Sequence, residues 1–229
     1  MVGGRYRVGE SFITHLNELL LLWRKPYHNS QKIDFSRYRR HGGAGRLTEV
    51  EMGTEGMNSP GIKLSMIVAA TPGGIIGNKG DMPWNIPSDM RRFRDITIGV
   101  GVVIMGRATH EAIMARNGRL LPRRHSIILT HFTREPTDHL EWARSVEEAC
   151  DLVACRGGHA CVIGGGQIYK AFMPLVERVH LTTVHPSREP EGDTHFKLCG
   201  NWRCAHATPT AKWDARDQYP TSYEEYVRG

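Results

Sequence analysis

Short runs of consecutive apolar residues, each stopped by a breaker and followed by helical spacing, recur from Leu64 onward and constrain the fold most. Residues 64–70 read as a buried strand, stopped by Pro72-Gly73-Gly74, and residues 88–96 as a short helix. Residues 101–105 form a second apolar run, ended by Gly106 and followed by a helix over 109–114. Residues 126–130 are a third strand. Residues 145–154 are a helix opened by Ser145 with Glu148 three positions on, a capping-box pattern. Residues 161–163 run into Gly164-Gly165-Gly166, then a helix over 167–173 and a fifth strand over 178–184. Strands with no polar face, alternating with helices, belong in a parallel sheet covered on both sides. Residues 202–208 and 222–227 instead alternate in polarity, as an antiparallel hairpin does. The expected fold class is α/β: a single domain with a central mixed, mostly parallel sheet of about eight strands, a C-terminal antiparallel hairpin and about four flanking helices.

Residues 1–60 have a different texture. One amphipathic helix is expected over 11–23, where Phe12, Leu16, Leu19, Leu20 and Trp23 fall near helical spacing. Glycine-rich stretches then run to Asn58-Ser59-Pro60-Gly61, which reads as linker. Residues 1–60 are therefore expected to be a flexible leader with one short helix, and 61–229 the folded α/β domain. Glu10 and Glu18 count against a transit peptide. The net charge of +6 is spread along the chain: residues 1–60 carry nine Lys/Arg against six Asp/Glu, hence +3, leaving +3 for the rest. A nucleic-acid binder concentrates such charge, so none is expected as a partner. The apolar run Leu19-Leu20-Leu21-Leu22-Trp23 falls far short of the ~20 residues that cross a bilayer. The five cysteines include no C-x-x-C and no zinc-ligand spacing, so reduced thiols, no metal and a cytoplasmic location are expected.

The segment from Asp81 to Asp89 carries the most chemistry. Pro83 and Pro87 bracket Trp84 and direct the chain into a helix. Asp89 then lies in the first helical turn, with Phe93 four residues later on the same face. A carboxylate beside an aromatic ring suits a flat heterocycle with an amidine-like donor pair. Taken alone, an aspartate serving the helix dipole is the simpler reading. Gly164-Gly165-Gly166 sits where strand passes to helix, so bare backbone can approach a phosphate, and a tight turn explains it equally well. Arg107 directly follows a strand, where ligands of open α/β sheets lie.

Ile75-Ile76-Gly77, Met82-Pro83-Trp84, Asp89 with Phe93, Val103 to Arg107, Leu121-Pro122-Arg123-Arg124, Val162 to Gly166 and Glu191-Gly192-Asp193-Thr194 occur in this order. This ordered set resembles the dihydrofolate reductase family over residues 64–229. The resemblance implies NADPH-dependent reduction of 7,8-dihydrofolate, hydride passing from nicotinamide C4 to pterin C6 while N5 gains a proton. Asp89, supported by Thr182, is implied to bind the 2-amino and N3 side of the pterin. It lies too far from N5 to protonate it, so water is the implied donor. Met82 and Trp84 belong to the implied mobile loop, Gly77 to Trp84, over the nicotinamide. Ile67, Val68, Ala69 and Ile163 are implied to surround the pterin, Met90 and Phe93 the aminobenzoyl group, and Arg124 to pair with the glutamate α-carboxylate. For NADPH the implied contacts are Ala69 and Ile76 at the nicotinamide, with Gly106, Arg107, Ala108 and Thr109 at phosphate. Leu129, Thr130 and His131 lie toward the adenosine 2′-phosphate, and Gly164, Gly165, Gly166, Gln167, Ile168 and Tyr169 along the pyrophosphate. Dihydrofolate is the expected partner and a monomer the expected state.

Three departures from the family pattern stand out. Gln167 occupies a position that is often Arg in bacterial members, which weakens the preference for NADPH over NADH. His110 replaces an aromatic or apolar residue, and residues 115–119 look like a short insertion near the substrate tail. Two rivals are a same-fold reductase such as the pyrimidine reductase of riboflavin synthesis, and a non-catalytic folate- or NADPH-binding module. Met82-Pro83-Trp84 with Asp89 argues against the first, and the intact Asp89 and glycine run against the second.

Overall fold

A computed structural model describes residues 61–229 except 133 and 209–213. The helix expected over 11–23 and the linker after it lie outside the described residues. In chain order the elements are β1 (Lys63–Ala70), β2 (Ile75–Gly77), α1 (Pro87–Val100), β3 (Val102–Gly106), α2 (Arg107–Asn117), β4 (His125–Leu129) and β5 (Leu140–Ala143). There follow α3 (Val146–Cys155), β6 (His159–Gly164), α4 (Gly166–Phe172), β7 (Arg178–Val184), β8 (Thr194–His195), β9 (Trp202–Ala207) and β10 (Thr221–Arg228).

Eight strands make one sheet in the order β5-β4-β3-β6-β1-β7-β10-β9. Every pairing from β5 to β7 is parallel, and β10 runs antiparallel to both β7 and β9. This is the mixed, mostly parallel sheet expected from the apolar runs. Because successive side chains of a strand point to opposite faces, the sheet buries two cores. On one face Met66, Val68, Ile104 and Val162 pack with Ala149, Cys150 and Val153 of α3 and Tyr169 and Phe172 of α4. On the other, Ile67, Val103, Met105, Ile128 and Ile163 pack with Phe93, Ile96 and Val100 of α1 and Ile113 of α2. Burying a side chain of this size contributes roughly 1.5–3 kcal/mol, so both faces hold the sheet together.

Sequence pattern located the long elements and misjudged several ends. α1 runs on past Ile96 to Gly101, whose φ of 84° closes it with its N–H on the Thr97 carbonyl. The fully buried Thr97 returns its hydroxyl to the Phe93 carbonyl at 2.7 Å, a local bond that lets a polar residue stay inside the helix. α2 begins two residues earlier than expected and continues to Asn117, capped by Gly118 at φ 65°. Residues 115–117 of the expected insertion are thus its last turn. Ser145 caps α3 as expected, accepting from the Glu148 N–H at 3.2 Å. Three strands were not expected. β5 is four residues long and partly polar, while β2 and β8 form only by pairing with each other.

Candidate active site

Most of the residues singled out above gather along the carboxyl ends of five neighbouring strands, while Arg124 stands just before β4, at its amino end. Gly106 of β3 faces Leu129 of β4, Met105 of β3 faces Gly164 of β6, and Ala69 of β1 faces Thr182 of β7. The chain leaves β1 for β3 and later returns β6 between them. That reversal of strand order is where open α/β sheets leave a ligand crevice.

Asp89 stands in the first turn of α1, over that edge, and is only 8% exposed. The buried Thr182 hydroxyl donates to Asp89 Oδ1 at 2.6 Å. Arg92, one turn along α1, brings Nη1 to 3.5 Å from the same oxygen and 3.3 Å from Thr182 Oγ1. Burial pushes the Asp89 carboxyl above its ordinary range. The Thr182 hydrogen bond and the Arg92 charge pull it back, and Asp217 adds to the rise. Asp217 is itself buried and accepts from the Ser88 N–H at 2.9 Å and from the Ser88 hydroxyl, fixing the start of α1.

A narrow cleft runs beside Asp89, walled by Met82, Trp84, Ile86, Met90 and Arg116. Trp84 and Ile86 pack with Ile75 and Val184, against which Ala69 and Met82 also lie. The loop carrying Met82 is pinned at its base. Asn78 and Asp81 exchange backbone hydrogen bonds of 2.9 and 3.1 Å, and the Lys79 N–H donates to Asp193 Oδ2 at 2.8 Å. Opposite, Ile67 and Ile163 share a core cluster with Phe93, and the buried Tyr169 hydroxyl donates to the Ile67 carbonyl at 2.8 Å. Val68 departs from this set. Its side chain lies in the core on the other face of the sheet, so only its main chain faces the crevice.

The glycine run is tightly built. The Gly164–Gly165 peptide is cis, and Gly164 has φ 108°. A Cβ on Gly166 would lie 3.0 Å from Thr194 Cγ2, and one on Gly165 would lie 3.4 Å from Thr109 Oγ1. The backbone is therefore bare and close to neighbours, as an approach to phosphate requires. Ile76, Thr109, Thr130 and Ile168 are half-buried, and Arg107, Ala108, His131 and Gln167 are exposed. Arg107 pairs with Glu111 one turn on, at 2.8 Å. Arg124 is buried; Nη1 donates to Thr97 Oγ1 at 2.9 Å and Nε to the Pro122 carbonyl at 3.0 Å. Its desolvation lowers its proton affinity, with Arg123 and Arg94 adding to the effect.

The dihydrofolate reductase family model matches residues 63–228. That decides the family. This chain belongs to the dihydrofolate reductases. It is similar to the dihydrofolate reductase of Bacillus subtilis, 33% identical over 72% of this chain and 94% of that protein. The dihydrofolate reductase of Staphylococcus haemolyticus is 35% identical over 73% of this chain and 96% of that one. A solved dihydrofolate reductase from Enterococcus faecalis, complexed with NADP(H) and RAB-propyl, superposes with a TM-score of 0.63 at 28% identity. It covers 73% of this chain and 96% of its own. Dihydrofolate reductases are NADP-dependent oxidoreductases, and among the described residues no helix is long and apolar enough to cross a membrane.

Four residues of this reductase's site escaped the sequence reading. Arg92 was legible in principle, since it stands three residues after Asp89 on the same helical face. Asp217 was not, because it meets Ser88 across 129 residues of chain. Asp193 lay within a noted motif without an assigned role, and Arg116 reaches the cleft only because α2 is longer than its apolar pattern indicates.

Proposed function

We propose that this chain reduces 7,8-dihydrofolate to 5,6,7,8-tetrahydrofolate with NADPH, and that Asp89 and Thr182 hold the pterin. The observation that carries this reading is the buried Asp89–Thr182 pair at the wall of the cleft. Thr182 donates to Asp89, so the carboxylate presents acceptor capacity to a ring bearing two adjacent N–H donors. Charge-assisted bonds of that kind orient the ring and polarise it toward accepting hydride at C6. Asp89 acts as orienter, and the proton reaches N5 through water. NADPH supplies the hydride from nicotinamide C4. Gly164, Gly165 and Gly166 with Thr109 fit its phosphates, since a Cβ at Gly166 would fill the space beside Thr194. Ala69 and Ile76 stand toward its nicotinamide, Gln167, Ile168 and Tyr169 along its pyrophosphate, and Gly106, Ala108 and Leu129 along its length. Arg107 and His131 are the groups for the 2′-phosphate, Gln167 contributing no charge. Met82 and Trp84 close the cleft and exclude water from the hydride path. Phe93 and Met90 wall the aminobenzoyl group.

Purified protein should consume NADPH only when dihydrofolate is present and release tetrahydrofolate in equal amount. NADPH binding without consumption would turn the assignment to another heterocyclic substrate.

Arg124 is proposed to pair with the glutamate α-carboxylate, and its bonds to Thr97 and Pro122 hold the guanidinium in place. In Arg124→Gln the KM for dihydrofolate should rise roughly 10- to 100-fold, as loss of a charge-assisted bond implies, with kcat changed much less. A KM within twofold of wild type would remove Arg124 from the site.

Residues 1–60 are proposed to be a leader dispensable for catalysis, since the family match begins at residue 63. A chain beginning at Gly61 should keep wild-type kcat and KM. An insoluble or inactive product would show that the leader belongs to the folded unit.

A further inference from the structure

Arg92 is the cation within ion-pair distance of Asp89 among the described residues, and two side chains, Tyr223 and behind it His180, hold it there. Its guanidinium lies over the Tyr223 ring at 4.5 Å, a cation–π contact. Tyr223 in turn stacks on His180, with rings 9° from parallel, and its hydroxyl lies 2.7 Å from His180 Nδ1. His180 is buried, which pulls its imidazole down to about 4, so at neutral pH the ring is neutral and shares a hydrogen bond with the Tyr223 hydroxyl through Nδ1. The stack Arg92–Tyr223–His180 thus runs from Asp89 across β10 and β7. Arg92 Nη1 meets both members of the pterin-binding pair, Asp89 Oδ1 and Thr182 Oγ1, from a single point.

The other charges around Asp89 do not replace it. Arg91, its neighbour on α1, is turned to Asp214 at 2.8 Å. From the loop before β10, Asp217 faces α1 and opposes ionisation of Asp89. From β7 and β10, His180 is neutral and Glu225 is paired with Arg178. From α4, the Tyr169 phenol is buried and neutral, its proton spent on Ile67. From α2, Arg116 reaches the cleft rim but pairs with Asp81 at 3.7 Å.

We infer that Arg92 is a positioning residue of this reductase: clamped by Tyr223, it keeps the buried Asp89 ionised and fixes the Asp89–Thr182 pair for the pterin. This rests on the dihydrofolate reading above for its place in catalysis, while the coupling of Arg92 to Asp89 can be measured without substrate. The carboxylate needs such a partner because burial alone would leave it protonated more of the time, and a neutral carboxyl is a poorer acceptor for paired N–H groups.

The test is a titration of the Asp89 carboxyl carbon by 13C NMR in the full-length, ligand-free protein, the signal being assigned by its loss in Asp89→Asn. In Arg92→Gln the midpoint should rise by about one pH unit, the lower end of what an opposite charge within ~4–6 Å produces. Arg92→Lys, which keeps the charge, should stay within a few tenths of a unit of wild type. Tyr223→Leu, which removes the brace alone, should move the midpoint upward by less than Arg92→Gln does. The acidic limb of kcat/KM for dihydrofolate should move with the midpoint, because that parameter reports groups of the free enzyme. Retained NADPH affinity shows that each variant is folded. An unmoved midpoint in Arg92→Gln, or an equal rise in Arg92→Lys, overturns the inference and leaves Arg92 a packing residue. Wild-type protein inactive on dihydrofolate would count against the substrate reading and leave the Arg92–Asp89 coupling to stand or fall on the midpoint.

Discussion

Asp89→Asn is expected to cut dihydrofolate turnover at least ~100-fold at neutral pH while leaving NADPH affinity close to wild type. Asparagine preserves shape and can still accept from Thr182 through its carbonyl oxygen, now 2.6 Å away on Asp89. Its other terminus is an NH2 group, which would turn a donor toward the pterin's own donors. Attraction becomes repulsion at the atoms that orient the ring, and the charge that polarises it is gone. The cofactor side, at Gly164–Gly166 and Arg107, is built from other elements and should not register the change. Stability should move the opposite way. Burial raises the Asp89 carboxyl above its unfolded value. A raised carboxyl contributes stability below its unfolded value that is lost as pH rises through the folded one. At neutral pH wild type has lost that contribution, so the asparagine variant should unfold at an equal or higher temperature there. Below the unfolded carboxylate range the gain should shrink. Steady-state rates, a fluorescence titration with NADPH and thermal melts at two pH values check all three parts. Turnover near wild type would remove Asp89 from the centre of the mechanism.

Gly164→Ala should damage stability and cofactor binding together. Gly164 has φ 108°, a region that side chains with L configuration rarely adopt. A Cβ there would also sit 2.9 Å from the Tyr169 ring and hydroxyl, held inside the core by the bond to Ile67. Strained backbone costs about 1–3 kcal/mol and overpacking about as much again, so a loss of roughly 2–6 kcal/mol is expected. Relieving the clash moves Tyr169 and the start of α4, and with them the turn proposed to cradle the cofactor phosphates. The affinity for NADPH should therefore fall more than tenfold in whatever fraction remains folded. Denaturant unfolding and NADPH titration measure the two effects. A variant as stable as wild type would mean that the turn relaxes without strain.

The proposed pterin and cofactor residues were singled out before any coordinates by the ordered motifs that resemble the family, and several of those motifs coincide with a local device. Asp89 follows a proline at a helix start, Arg107 opens α2 directly after a strand, and the glycine run separates β6 from α4. Thr182 sits in a strand whose bounds, Arg178–Val184, the apolar pattern places without error. Val68 shows where local reasoning stops. It lies between two crevice residues in sequence, yet the alternation of the strand turns its side chain to the opposite core.

The ordered motifs that resemble the family singled out Asp89 as the candidate carboxylate. Local sequence was enough to expect the α/β class and the parallel centre and antiparallel tail of the sheet. These follow from apolar periodicity, breakers and caps, which act within a few residues and leave their mark in the order of the letters. The fold alone decided which charges surround that carboxylate. Arg92 is held by Tyr223 from β10, Asp217 secures Ser88 from 129 residues away, and Asp193 ties down the loop at Lys79. Such contacts join segments distant in the chain, and an exposed and a buried arginine are the same letter. Burial, which raises Asp89, and the cation that opposes that rise are both products of packing, so the electrostatics of the site exist only once the chain has folded.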